Sequence, residues 1–260
     1  MMKNIFYSLS FFILLISCSS PTSYGEPEVN SLEIQKNFID WWTYYNDNVM
    51  LSRNFIGLDA SSKEITKGEF LKALADGGFI PIRLVSTDKN IFYYKLFKIE
   101  ATSDTSIQAT IAAEAFNTIN NFKKEGKPFP VFSFKDLDGN LITNENLKGK
   151  IVVIKCWFIH CVACVAEFPE VNEMALQYKN RKDIVFISLA EDSAEQLEAF
   201  LLKKPLLYSV VPNLKNYMNK ALQVNVFPTH FIVNKNGVIE KVTSKYQDLE
   251  IALENSSKIN

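Results

Sequence analysis

Residues Ile151-Val-Val-Ile-Lys-Cys-Trp157 form an apolar run rich in β-branched side chains, and a few residues later comes Cys161-Val-Ala-Cys164. A continuous run of this kind reads as a strand buried on both faces. Beyond the cysteines, Val165, Phe168, Val171, Met174 (or Ala175) and Tyr178 recur at helical spacing and predict one helix with an apolar stripe. The cysteines therefore fall where strand gives way to helix. Cys161 is expected in or near the first turn, facing unpaired backbone N–H groups and the positive end of the helix dipole. Both favour a thiolate, the nucleophilic form. Cys164 is expected one turn in, less exposed and near enough to close a small ring with Cys161.

A lone Cys-x-x-Cys could equally be half a zinc site. Here it follows a strand with Trp157, precedes Glu167 and Pro169 on the helix, and is joined by Phe227-Pro228-Thr229 before a later strand. Over residues 126 to 256 the chain resembles the TlpA-type thioredoxin-like proteins, membrane-anchored thiol-disulfide oxidoreductases of the bacterial envelope. The resemblance implies an α/β fold, a thioredoxin-like mixed central sheet flanked by helices. It places Pro228 opposite the cysteines as a cis proline, with Phe227 offering backbone groups to a substrate chain. It implies a carboxylate at Glu167 tuning the cysteines, and no cofactor besides them. The substrates it implies are cysteine pairs of secreted or cytochrome-assembly proteins, with an upstream thiol electron donor.

Several residues carry two readings. Glu167, three after Cys164, shares its helix face and could take the proton of that thiol; otherwise it is a surface carboxylate in a helical ion pair. Lys155 departs from the family, which often has Asn or Asp there. A buried ammonium must be paired, neutral or snorkelling, and pairing with Glu167 below the cysteines is the expectation. His160 stands where the family commonly has Trp. As an imidazolium it would favour the Cys161 thiolate; otherwise it is a solvated loop residue. Trp157, His160, Phe227 and Pro228 are the candidate client-binding residues. Cys156 reads as core rather than as a third redox thiol. His230 follows Pro228 by two residues and is either buried or near the site.

The remaining organisation is read from patterning. Residues 1–17 have a signal-peptide character, and Leu15-Ile16-Ser17-Cys18 resembles a lipobox whose Cys18 would be lipidated; an ordinary cleaved signal is the alternative. Residues 18–27 would be a tether, residues 28–124 a small N-terminal α+β domain, and residues 125–260 the thioredoxin-like domain. The N-terminal domain is expected to carry one long helix from Ile34 to Val49, a capping box at Thr66 and Glu69, a strand pair, and a helix capped by Asp104. Its aromatic group Trp41, Trp42, Tyr44 and Tyr45 is either core or an exposed docking face. With 28 basic and 29 acidic residues, nothing argues for nucleic acid. The competing functions are a thioredoxin-like copper carrier using the cysteines and a histidine, or a redox-inactive binding protein.

Overall fold

The computed structural model describes residues 24–88 and 91–258, so the signal-peptide and Cys18 expectations lie outside the described residues. The N-terminal part runs α1 (Ser31–Ile34), α2 (Phe38–Asn48), β1 (Ile56–Leu58), β2 (Glu64–Ile65), α3 (Lys67–Ala75), β3 (Phe79–Leu84), β4 (Tyr93–Lys98) and α4 (Thr105–Phe122). Its strands form one sheet in the order β2-β1-β4-β3, in which only the β1–β4 pairing is parallel. Thr66 and Glu69 cap α3 reciprocally. Gly77 leaves that helix at φ +78, a conformation open to glycine at little cost.

The expected long helix from Ile34 to Val49 is two helices. The break is made by side chains that a periodicity count cannot weigh. Asn37 accepts from the N–H groups of Ile39 and Asp40 and caps α2. Gln35 is buried, and its amide donates to the carbonyls of Ser31 and Lys98 and accepts from the Glu100 N–H and the Ser103 hydroxyl. Three of these partners, Lys98, Glu100 and Ser103, fasten the turn to the end of β4 and the loop after it. Trp41, Tyr44 and Tyr45 are buried, so the aromatic group is core and an exposed docking face is not available on these three.

The C-terminal part runs β5 (Ser133–Lys135), β6 (Leu141–Thr143), β7 (Ile151–Trp157), α5 (Val162–Ala166), α6 (Phe168–Gln177), β8 (Ile184–Ala190), α7 (Ala194–Leu201), β9 (Ser209–Val211), α8 (Lys215–Lys220), β10 (Thr229–Val233), β11 (Ile239–Thr243) and α9 (Tyr246–Lys258). Five strands form a mixed sheet, β11-β10-β7-β8-β9, with β7 at its centre. Every residue of β7 is buried, as an apolar strand covered on both faces requires. Strand alternation sends Ile151, Val153 and Trp157 into one core, and Val152, Ile154 and Cys156 into the other. Lys155 shares the face of Val153 and Trp157.

The helix after the cysteines is also broken, against expectation. Glu167 has φ −88 and ψ 5, ending α5 and preceding α6. Pro169, within the first turn of α6, supplies the reason: its ring excludes the carbonyl four residues back and it has no N–H to donate. The break puts Glu167 at a corner instead of on a continuous stripe.

The two parts meet next to this corner. Asp248 of α9 is buried, accepts from the Ser52 hydroxyl, and pairs with Arg53 Nε at 2.6 Å. Lys241 of β11 donates to the Ser52 carbonyl and pairs with Glu125. A cleft of about 570 Å3 results, walled by Asn46, Asp47 and Met50 on one side and by Ala163, Glu167 and Pro228 on the other.

Candidate active site

Cys161 is the N-cap of α5, and its sulfur accepts from the Cys164 N–H at 3.2 Å. An N-cap side chain faces the orphan N–H groups of the first turn, so negative charge on this sulfur is stabilised there. The approach loop is pinned by Asp192, whose carboxylate accepts from the Ile159 N–H at 2.8 Å. Cys161 and Cys164 are joined as a disulfide. Cys161 keeps 7 % exposure and Cys164 none, so Cys161 is the more accessible of the two.

Trp157, expected among the client-binding residues, is fully buried and cannot touch a client. Its indole donates to the Ser188 hydroxyl at 3.1 Å and packs edge-on against Phe168. It is a floor beneath the helix. His160 is exposed beside Cys161. Phe227 is half-buried and packs edge-on against Phe158, and the Phe227–Pro228 bond is cis. Pro228 reaches the cleft alongside Ala163 and Glu167.

At the α5–α6 corner, the Lys155 ammonium and Glu167 Oε1 are paired, with the Phe168 ring 5.7 Å from the ammonium. Lys155 has no exposure and Glu167 retains 13 % at its side chain. His230 was absent from the candidate site residues, yet it completes the cluster. It lies opposite Lys155 across the antiparallel β7–β10 pairing, and its Nε2 stands 2.9 Å from the same Oε1. The available signal was alternation from Thr229. What was missing was the strand pairing that turns residue 230 toward α5 and α6 instead of away.

The charges follow from these contacts. Burial pushes the Glu167 carboxyl up, but His230 and Lys155 together outweigh it and hold it below its ordinary 4.5. Burial pulls the Lys155 ammonium down from 10.5, and Glu167 restores part of the loss. Burial likewise pulls the His230 imidazole below 6.5 against the pull of Glu167. Cys156, on the other face of β7, is fully buried and free, and burial pushes its thiol up to about 12. Alkylation of the reduced native protein is therefore expected to modify Cys161 and Cys164 within minutes and Cys156 only after denaturation. Peptide mass mapping checks this, and rapid native labelling of Cys156 would contradict it.

Residues 126–242 match the AhpC/TSA family. Over 119 residues the chain is 33 % identical to the thiol-disulfide oxidoreductase ResA of Bacillus cereus, covering 45 % of this chain and 68 % of that one. This chain belongs to the TlpA-type thioredoxin-like thiol-disulfide oxidoreductases. Over 121 residues it is 29 % identical to the thioredoxin-like protein YneN of Bacillus subtilis, covering 46 % of this chain and 71 % of that one. A thiol-disulfide oxidoreductase structure from Bacteroides fragilis aligns with 50 % of this chain and 98 % of its own at 19 % identity and a TM-score of 0.46. In this chain Lys155 and His230 are the groups that act on the Glu167 carboxylate.

Proposed function

We propose that this oxidoreductase reduces, or exchanges, disulfides of extracytoplasmic proteins through the Cys161/Cys164 pair. The observation that carries the reading is the asymmetry of the two sulfurs: one partly exposed at a helix N-terminus, the other sealed one turn in. The Cys161 thiolate attacks a client disulfide. A Cys161–client S–S bond forms, the client S–S bond breaks, and the released client thiolate takes a proton. Cys164 then gives up its proton and attacks the Cys161 sulfur. The S161–S164 bond forms, the mixed disulfide breaks, and the second client sulfur leaves as a thiolate and is protonated. The client gains two electrons and two protons, and an upstream thiol donor must return them to the pair.

The client backbone would lie against Phe227 and the cis Pro228, with His160 at its edge. Glu167 and Lys155 would manage the proton of Cys164 from below. Residues 1–18 support an envelope address, with Cys18 as lipid anchor on the extracytoplasmic side of a bacterial membrane. Among the described residues no helix is long and apolar enough to cross a membrane.

Equilibrating the purified full chain with glutathione buffers tests the exchange function. A single two-electron couple is expected, assigned to Cys161 and Cys164 by mass. A pair that never cycles, or a protein that purifies with stoichiometric copper or zinc, would sink the proposal and favour a carrier.

A further inference from the structure

Four residues, Phe158 to Cys161, carry the chain from β7 to α5. The Cys161 N–H donates to the Phe158 carbonyl at 3.1 Å, so they form one turn with Ile159 and His160 at its centre. Such a turn leaves the N–H of its second residue without a partner inside the turn, and an outside acceptor must supply one. Asp192 Oδ2 takes the Ile159 N–H at 2.8 Å. Asp192 lies between β8 and α7, in a loop that is held on its own account. The Glu191 N–H donates to the Trp157 carbonyl at 3.2 Å, and the Asn213 N–H donates to the Asp192 carbonyl at 2.9 Å. Ser193, the next residue, caps α7. On the other side of the turn, the Phe158 ring stands edge-on to Phe227, with 5.3 Å between centroids. The Asp192 carboxylate is thus a fixed point for a turn that ends at the sulfur accepting the Cys164 N–H.

The two redox states use this fixed point unequally. In the disulfide form a covalent bond ties residue 161 to residue 164, so the end of the turn is held with or without Asp192. Reduction cuts that tie. Only the turn then keeps the Cys161 sulfur over the Cys164 N–H. A contact shifts an equilibrium by the difference between its worth in the two states, and by nothing else.

We propose that Asp192 is a positioning residue for the exchange: by holding the Ile159 N–H it stabilises the dithiol more than the disulfide, and so raises the reduction potential of Cys161/Cys164. This rests on the exchange function proposed above. No step of the chemistry passes through the carboxylate; two electrons and two protons still come and go at the sulfurs. A pair whose dithiol is stabilised is the better oxidant and the weaker reductant. The clamp therefore gives up part of the force available for reducing clients, and an upstream thiol donor reloads the pair more readily.

The test equilibrates the full chain and its Asp192→Ala variant with glutathione buffers and reads the disulfide fraction by mass after an alkylating quench. The variant's equilibrium is expected to move about tenfold toward disulfide, a potential about 30 mV lower. Asp192→Asn keeps an oxygen acceptor at the same reach and should recover most of that shift. Urea unfolding of each redox form gives an independent arm. Asp192→Ala should cost the reduced protein more stability than the oxidised one, by the amount that the equilibrium moved. A residue that merely supports the fold would cost both forms alike and leave the potential where it was. An unmoved potential, or equal losses in the two forms, overturns the inference. So does an Asp192→Asn protein that behaves like the alanine variant, since the charge and not the bond would then be responsible. Should the alanine variant fail to fold, amide exchange in the wild type decides. The Ile159 N–H is expected to stay protected after reduction, within about tenfold of its oxidised value. Loss of that protection on reduction overturns the proposal. If the wild-type pair never equilibrates with glutathione, the exchange function has failed first, and this inference falls with it.

Discussion

Cys164→Ser is expected to yield a protein that attacks disulfides and cannot let go. Client peptide should accumulate on Cys161 as a mixed disulfide, visible as one added mass that dithiothreitol removes. Cys161→Ser should form no adduct, since the sulfur left is buried and lacks the helix-end position. Turnover should fall by about three orders of magnitude or more in both, because each removes a nucleophile that nothing else replaces. The different lesions follow from placement. Cys161 caps α5, so its thiolate is held by the Cys164 N–H at the helix end. Cys164 sits behind it, within bonding distance of one sulfur only. Cys156 offers no rescue, because it points into the opposite core. Steady-state reduction of a fluorescent disulfide, followed by mass spectrometry of the quenched enzyme, checks both variants. Normal turnover by Cys164→Ser would remove the two-cysteine mechanism.

Much of this site was legible in the residues. An apolar β-branched run with cysteines at its end specifies a buried strand leading to a helix, and β7 and α5 are that. Capping residues at Thr66, Asp104 and Ser193 mark helix starts because their oxygens satisfy specific orphan N–H groups. Trp157 could have been placed correctly, since strand parity puts it with Ile151 and Val153 in the core; an aromatic close to the cysteines invited the wrong role. Two helix breaks were hidden, for different reasons. At Gln35 the cause is tertiary: an amide that could face water instead binds the end of β4. At Glu167 the cause, Pro169, was in plain view, but apolar spacing continues across it and masks the turn. The three- and two-residue strands β1 and β2 are too short to carry a period. His230 depended on which strand lies beside β7, a fact of topology that no local pattern contains.

The N-terminal part also contributes a wall to the cleft beside the α5–α6 corner. The Asp248–Arg53 contact joins two groups far apart in the chain and brings the end of α2 over the cleft. Asn46, Asp47 and Met50 stand across that cleft from Ala163, Glu167 and Pro228. The polar end of α2 forms the cleft wall, while its aromatic residues Trp41, Tyr44 and Tyr45 serve the core behind it.

Glu167→Ala is expected to destabilise the fold by about 3–5 kcal/mol, and Lys155→Met by much less, although each removes half of one ion pair. The asymmetry comes from what is left behind. Without Glu167, a fully buried ammonium keeps only the Phe168 ring, with no anion in contact. It must lose its proton or drag water inward, and either is costly. Without Lys155, the carboxylate still has His230 at 2.9 Å and retains contact with the cleft. Lys155→Met with Glu167→Leu should recover most of the loss, since an apolar pair of similar volume avoids desolvating either charge. The pH dependence has a definite sign. Glu167 titrates below its ordinary 4.5 in the fold, so its contribution is complete above 4.5 and is lost as pH falls through the folded value. Lys155 titrates below its ordinary 10.5, so the unfolded chain holds that proton more tightly, and stability from this group rises as pH climbs toward 10.5. Urea unfolding of the four proteins between acid and alkaline pH checks both limbs, and the double variant should respond least to pH. Equal costs for Glu167→Ala and Lys155→Met at neutral pH would mean that the lysine is held neutral, and the charge distribution at the α5–α6 corner would have to be redrawn.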